Sequence, residues 1–310
     1  ILMKKLLFMF LVLSFSALAL STSAAEITFA VLSDIHSKPD PLKNALIDLK
    51  SINPELTALI LNGDTVDLGQ PEDYAKISLC LEENSALLPK IVIKNMGNHE
   101  FYQEYGRGPN SRKSNDILIA RYLDFSSRVL VYDDNWINGY HFIHMGSEST
   151  YNKYVDSSTV RATISDEQIL WLEEKLAEDY TPGKPIFVFL HQPLDNTVVF
   201  SHYYRYNINK DQVIRSIFEK YPEIIFFSSH SHHCFELPGN FYTDPSGFKC
   251  VDTSSVSRPT YIDTKEGVEK EWVPSSEGVY VEVFKDKVVI KAREFKKSEW
   301  IKDAQFIINY

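Results

Sequence analysis

Ile27-Thr28-Phe29-Ala30-Val31-Leu32-Ser33-Asp34-Ile35-His36 is an apolar run that ends on a carboxylate and an imidazole two positions apart. Ile27 to Ser33 reads as a strand. Alternate residues of an extended backbone share a face, so the strand exit presents Asp34 and His36 on one side. Four more polar groups follow apolar stretches further along: Gly63-Asp64, Gly97-Asn98-His99-Glu100, His191 and His230-Ser231-His232. Carboxylate, imidazole and amide groups delivered from several strand ends are the ligands of a two-metal hydrolytic centre, in which one carboxylate bridges both ions. Any one of these runs alone is more often a plain polar turn. Five in succession, each behind a strand-like segment, reverse that reading.

Outward from the first strand, Leu42, Ala45, Leu46 and Leu49 recur at helical spacing, and the pattern stops before Pro54. Leu56 to Leu61 reads as strand, Pro71 to Leu87 as helix, and Lys90 to Met96 as strand again. Phe101 to Arg121 is polar, carries Gly106, Gly108 and Pro109, and reads as a long loop leading into a helix near Asn115 to Phe125. Tyr140 to Met145 is a strand whose His141 and His144 point to opposite faces and read as structural. Ser165-Asp166-Glu167-Gln168 predicts a helix start with Ser165 as cap and Gln168 completing a capping box, and Ile169, Leu172 and Leu176 on the inner face. Ile186 to Leu190 delivers His191, Ile224 to Phe227 delivers His230 and His232, and a helix from Asp211 to Tyr221 lies between them. Phe248 to Thr253, Val279 to Phe284 and Val288 to Ala292 are the remaining predicted strands. Strands alternating with helices, then a strand-rich C-terminal part, make this an α/β chain of stacked sheets covered by helices.

The ordered set Asp-x-His, Gly-Asp-x-x-Asp, Gly-Asn-His-Glu, a lone His before Pro, and His-x-His resembles the calcineurin-like metallophosphoesterase superfamily, from about Ile27 to the end of the chain. Asn62-Gly63-Asp64-Thr65-Val66-Asp67-Leu68-Gly69 is similar to the branch of class III cyclic-nucleotide and glycerophosphodiester phosphodiesterases; purple acid phosphatases carry a metal-binding Tyr where Asp67 stands. The resemblance implies a four-layer α/β/β/α sandwich with the site at the strand ends on one edge. It implies that Asp34, His36 and His232 hold one ion, that Asn98, His191 and His230 hold the other, and that Asp64 bridges them. Manganese, iron and zinc all suit such mixed nitrogen and oxygen ligands. His99 is implied to assist the leaving group, a task suited to a side chain titrating near neutrality, while a metal-bound hydroxide attacks phosphorus. Asp67 is implied to orient a ligating imidazole. Two positions depart from the pattern. Ser229 stands where Gly is usual, which raises the expectation of a distorted second-metal site, and Gln192 replaces a common His.

The implied activity is phosphoester hydrolysis on a small-molecule substrate, with phosphodiesters ahead of phosphomonoesters; a non-catalytic scaffold on the same fold is the contrasting reading. Arg205, in the aromatic stretch Phe200-Ser201-His202-Tyr203-Tyr204-Arg205-Tyr206, reads equally as a phosphate clamp or as part of a loop packed by its own rings. Arg107, Arg112 and Lys113 read as a solvated charge run. Net charge is −10, which disfavours a nucleic-acid partner. Residues 1–25 read as an export signal, with Lys4 and Lys5, an apolar run from Leu6 to Leu20, and small residues at Ser21 to Ala25; 26–310 then form one phosphoesterase domain, secreted or extracytoplasmic. The apolar run is shorter than the roughly 20 residues of a membrane span, so the mature chain is expected to lack one, with an uncleaved N-terminal tether as the alternative. Oligomeric state is not legible. Of three cysteines, Cys80 reads as buried in a helix, and a Cys234–Cys250 disulfide is left open.

Overall fold

The computed structural model describes residues 24–105, 114–149, 160–202, 208–263 and 268–310. In chain order the elements begin β1 (Ile27–Leu32), α1 (Pro39–Ile52), β2 (Ala58–Asn62), α2 (Pro71–Glu83), β3 (Ile91–Asn95), α3 (Asn115–Ser126), β4 (Asp133–Ile137) and β5 (Tyr140–His144). They continue α4 (Asp166–Ala177), β6 (Ile186–Phe189), α5 (Asp211–Phe218), β7 (Ile224–Ser228), β8 (Phe241–Thr243), β9 (Lys249–Asp252), β10 (Thr260–Asp263), β11 (Val268–Trp272), β12 (Glu277–Val283), β13 (Lys287–Glu294) and β14 (Glu299–Asn309). One six-stranded sheet has the order β14-β13-β12-β1-β2-β3 and the other β4-β5-β6-β7-β9-β8, with β10 and β11 paired separately.

The strand period explains the layering. Along β1, Phe29 and Val31 join an inter-sheet core with Phe142, Phe187, Phe189 and Phe227, while Ala30 and Leu32 face α1, α2 and α3. The second sheet turns Val188 and Phe226 toward α4 and α5. Strands buried on both faces carry near-continuous apolar sequence, and the parallel runs β1-β2-β3 and β5-β6-β7-β9 fit that composition. The chain is therefore the expected four-layer α/β/β/α sandwich. Parallel strands send their C-terminal ends to one edge, where β1, β2, β3, β6 and β7 all stop just short of the polar runs.

Several local expectations change. α2 stops at Glu83 and not Leu87, because Asn84 turns its side chain back to the Cys80 carbonyl at 2.7 Å; a separate 3-10 turn covers Ser85–Leu87. α5 stops at Phe218, where Lys220 and Tyr221 bond back three residues instead of four. Ser165 caps α4 through the Gln168 amide at 3.1 Å, but the capping box is closed by Glu148, which accepts from the Ser165 amide at 2.6 Å; the Gln168 side chain instead reaches Gly146 and Glu148. The Cys234–Cys250 disulfide does not form. All three cysteines are free and buried, Cys250 in the helix-covered core of the second sheet and Cys234 in a loop pinned by its amide to the Thr260 carbonyl.

His141 pairs with Asp134 at 2.9 Å and His144 stacks on Phe189, so both are structural, as read. His233 is buried and donates to the Pro238 carbonyl at 3.1 Å. The export segment up to residue 23, together with Arg205, Arg107, Arg112 and Lys113, lies outside the described residues. Among the described residues no helix is long and apolar enough to cross a membrane.

α1 is tied to the first sheet by a buried bidentate pair, Arg293 Nε and Nη2 donating to Asp48 at 2.7 and 2.8 Å. Removing one partner of such a pair leaves the other charge buried and uncompensated. Arg293→Met is expected to destabilise the protein by about 3–5 kcal/mol, read as a lowered denaturant midpoint at unchanged slope. A midpoint equal to wild type would show that the pair contributes little.

Candidate metal centre

Asp34 stands two residues past β1, Asp64 two past β2, Asn98 three past β3, His191 two past β6 and His230 two past β7. Three of these exits come from the first sheet and two from the second, so the site straddles the seam between them. To turn side chains into that seam the backbone takes positive φ at Asp34, His36, Asp64, His230 and His232, between 48° and 71°. Asp and His tolerate this region better than most residues, which is one reason the exits carry them.

Ligand-type atoms of Asp34, His36, Asp64 and His232 all lie within 4.8 Å of one another, and so do those of Asp64, His191 and His230. Asp64 belongs to both groups. Asp34 Oδ1 is 2.8 Å from His232 Nε2, 3.7 Å from His36 Nε2 and 3.8 Å from His191 Nε2, while Asp64 Oδ2 is 3.2 Å from His191 Nε2. His36 Nε2 and His232 Nε2 approach to 3.3 Å, the separation of about 3.3 Å that two ligands take on one tetrahedral ion with bonds of about 2.0–2.1 Å.

Electrostatics follow from burial. Desolvation would raise Asp34, but His232 and His191 hold it well below the usual carboxylate range; Asp64 is likewise lowered by His191 and His99 against its burial. Burial would lower His191, yet Asp64 and Asp34 lift it to about 10. Asp34 Oδ1, Asp64 Oδ2 and His191 Nε2 are buried with only one another and His232 as charged neighbours, none in good hydrogen-bond geometry, and the buried Asn98 Oδ1 makes no hydrogen bond within the protein. Buried polar atoms are rarely left so. Their chemistry, carboxylate and amide oxygen with imidazole nitrogen, fits divalent ions of the manganese, iron or zinc kind. Six of the seven implied ligands thus fall in these groupings, with Asn98 directly before His99, whose amide reaches Asp64 Oδ1; among the described residues two of the three groupings that could hold a cation share a carboxylate.

Asp67 Oδ1 lies 3.3 Å from His36 Nδ1, the orienting contact expected of it, and the His36 contact with Arg258 beside it keeps the carboxyl down at about 2. His99 sits at the mouth, its ring stacked on Tyr102, its amide donating to Asp64 Oδ1 at 2.8 Å and its Nδ1 to the Asp67 carbonyl at 2.7 Å. Burial lowers His99 to about 4 against the pull of Asp64.

Sequence reading missed what holds these loops. Glu100, quoted only as the end of a motif, is fully buried and accepts from the amides of Gly97, Asp64 and Thr65 at 2.8, 3.2 and 3.0 Å, joining two ligand loops; burial raises it to about 7. Gly97 is required beside it, since a Cβ there would lie 2.3 Å from Asp64 Oδ1. Arg258, whose guanidinium reaches Asp67 Oδ1 at 2.9 Å and whose carbonyl accepts from His232 Nδ1 at 3.2 Å, follows no motif. A buried Glu within three residues of a ligand loop was the available signal for the first; none existed for the second.

Known proteins resemble this chain in sequence or fold. A "Probable cyclic nucleotide phosphodiesterase" of Rhodococcus erythropolis is 24% identical over 153 residues, 49% of this chain and 44% of that protein, so the match spans less than half the relative's length. A dimetal phosphatase from Danio rerio superposes with a TM-score of 0.66 at 13% identity, over 92% of this chain and 99% of that one. An anchor protein of the Plasmodium inner membrane complex superposes at 0.56 and 14% identity, over 91% and 88%; at these identities the likeness is one of fold. The sequence pattern of calcineurin-like phosphoesterases runs over residues 27–234 and takes in every one of the strand exits described above, and the chain belongs to that family.

Proposed function

We propose that the chain is a dinuclear-metal phosphohydrolase acting on a small phosphodiester. The observation that carries this is the pair of interlocked clusters sharing Asp64, lined by buried atoms with no hydrogen bond of their own. Two bound ions supply an activated water near neutral pH and neutralise the phosphoryl oxygens. In this reading Asp34, His36 and His232 hold one ion, Asn98, His191 and His230 the other, and Asp64 spans them. Asp67, braced by Arg258, keeps the His36 ring turned so that Nε2 faces the centre.

His99 has its Nδ1 proton committed to the Asp67 carbonyl, which leaves Nε2 toward the centre, 3.8 Å from Asp64 Oδ2. An anionic phosphoryl group beside the ring favours its charged form and opposes the effect of burial. His99 then carries a proton on Nε2 in the substrate complex and passes it to the departing alkoxide. A diester is supported by the Gly-Asp-x-x-Asp-x-Gly sequence and by the activity named for the Rhodococcus relative. The net charge of −10 argues against a polynucleotide substrate. The basic, apolar and small-residue order of residues 1–25 supports export of the mature chain.

Protein reconstituted with manganese, iron or zinc is expected to carry two ions per chain by elemental analysis and to hydrolyse phosphodiesters faster than phosphomonoesters. Saturation at one ion sinks the dinuclear reading. Two ions with no turnover on either substrate class would instead favour a scaffold role.

His99→Ala is expected to keep its metal content while losing about 10²–10⁴-fold in rate. The loss should be larger for an alkyl diester than for a nitrophenyl one, whose leaving oxygen needs no proton. Equal losses on both, or a missing ion, would remove His99 from the leaving-group role.

N-terminal sequencing of protein recovered from its native host is expected to begin near Glu26. Recovery of soluble cytoplasmic protein with Met3 intact would overturn export.

A further inference from the structure

Ser229 occupies the position where glycine is usual before His-x-His, and the fold shows what its side chain does. It is not among the residues of positive φ, so a Cβ meets no left-handed backbone strain there. Its buried hydroxyl accepts from Asn62 Nδ2 at 3.0 Å and lies 2.7 Å from Thr253 Oγ1, which is 2.9 Å from Ser33 Oγ. Asn62 Oδ1 accepts from Asn95 Nδ2 at 2.9 Å. The Asn62 carbonyl accepts from His191 Nδ1 at 2.8 Å, which fixes the tautomer and leaves Nε2 for the centre. One residue at the end of β2 therefore grips His191 through its backbone and the residue preceding His230 through its side chain.

We propose that Asn62 and Ser229 form a buried clamp that sets His191 against His230, with Ser229 a positioning residue for the second metal ion; the proposal rests on the dinuclear reading above. Without the Ser229 oxygen, Asn62 Nδ2 keeps only two contacts of 3.4 Å, to the Leu190 and Phe227 carbonyls, long for a hydrogen bond. A poorly satisfied buried donor shifts toward a better acceptor. Moving Asn62 draws its carbonyl from His191, and moving the β7 exit draws His230. Of the first-ion ligands, His36 is held separately by Asp67 and His232 by the Arg258 carbonyl, so the larger effect falls on the second ion.

The test is a Mn2+ titration of metal-stripped wild type, Ser229→Ala and Ser229→Gly by calorimetry, with EPR of the bound manganese and thermal melts of the stripped proteins. Ser229→Ala removes one oxygen and adds no volume. Both variants are expected to bind the first ion as wild type does and the second about 10–100-fold more weakly, with the spin-coupled signal replaced by a mononuclear one at two equivalents. Second-ion affinity and a coupled spectrum equal to wild type would overturn the clamp. Loss of both ions together, or a stripped protein that no longer melts cooperatively, would assign Ser229 to the fold and also overturn it. A wild type that saturates at one ion is a different failure, that of the dinuclear reading itself.

Discussion

Two carboxylates, Asp34 and Asp64, are buried side by side with imidazoles as their ionic neighbours, and the rest of the edge is arranged around that constraint. Taking a carboxylate out of water costs several kcal/mol even after relaxation. The chain also accepts positive φ at five of the seven implied ligands, at about 1–3 kcal/mol each for a non-glycine residue. Such a conformation persists only where its surroundings over-determine it. Glu100 does this for the Asp64 loop by taking three amides at once, and Gly97 lets the two loops touch. Glu100 is thus as much part of the centre as the residues facing it, though it points the other way.

The seam between the sheets adds a longer-range requirement. Asp34, Asp64 and Asn98 ride on one sheet and His191, His230 and His232 on the other, so the distance between the two halves of the implied ligand set follows the distance between the sheets. That spacing is set by the aromatic inter-sheet core, where Phe29 meets Phe142, Phe187 and Phe227 edge-on with centroids 5.0–5.9 Å apart. Packed interiors do not compress smoothly. A change of ring volume at Phe29, just five residues before Asp34, would therefore be felt at the metal ligands as a shift of one half of the set against the other.

Much of this was legible in sequence for one reason: strand exits that carry metal ligands combine a period-two apolar run with rare polar pairs, and both signals are local. Six of the seven implied ligands, all but Asn98, fall in the groupings that could hold a cation, and the helices between them were placed on the same kind of signal. What stayed hidden depends on separation in the chain. Ser229 meets Asn62 across 167 residues and Arg258 meets Asp67 across 191, with no local pattern to announce either. β4 and β14 were missed because their polar residues mask the alternation, β14 pairing with β13 through an irregularity near Arg293. Glu148 displaced Gln168 in the α4 cap because a tertiary neighbour offered the Ser165 amide a carboxylate, stronger than the amide oxygen the sequence supplied. Glu100 lay in plain view within a quoted motif, yet only its three backbone amide contacts show that it braces the centre.

Fold alone does not decide between an enzyme and an anchor, since both share this architecture. The energetics of the edge give a sharper criterion. A scaffold gains nothing from holding Asp34, Asp64 and His191 against one another out of water, or from burying Asn98 Oδ1 without a hydrogen bond, which alone costs about 1–3 kcal/mol. That cost is a sizeable share of the whole net stability of a typical domain, about 5–15 kcal/mol. Divalent cations held there would give these atoms a partner, and binding to the folded state alone would then stabilise the fold. The groups that make the edge costly as protein are the ones the proposed chemistry needs, which links the stability of the sandwich to that chemistry.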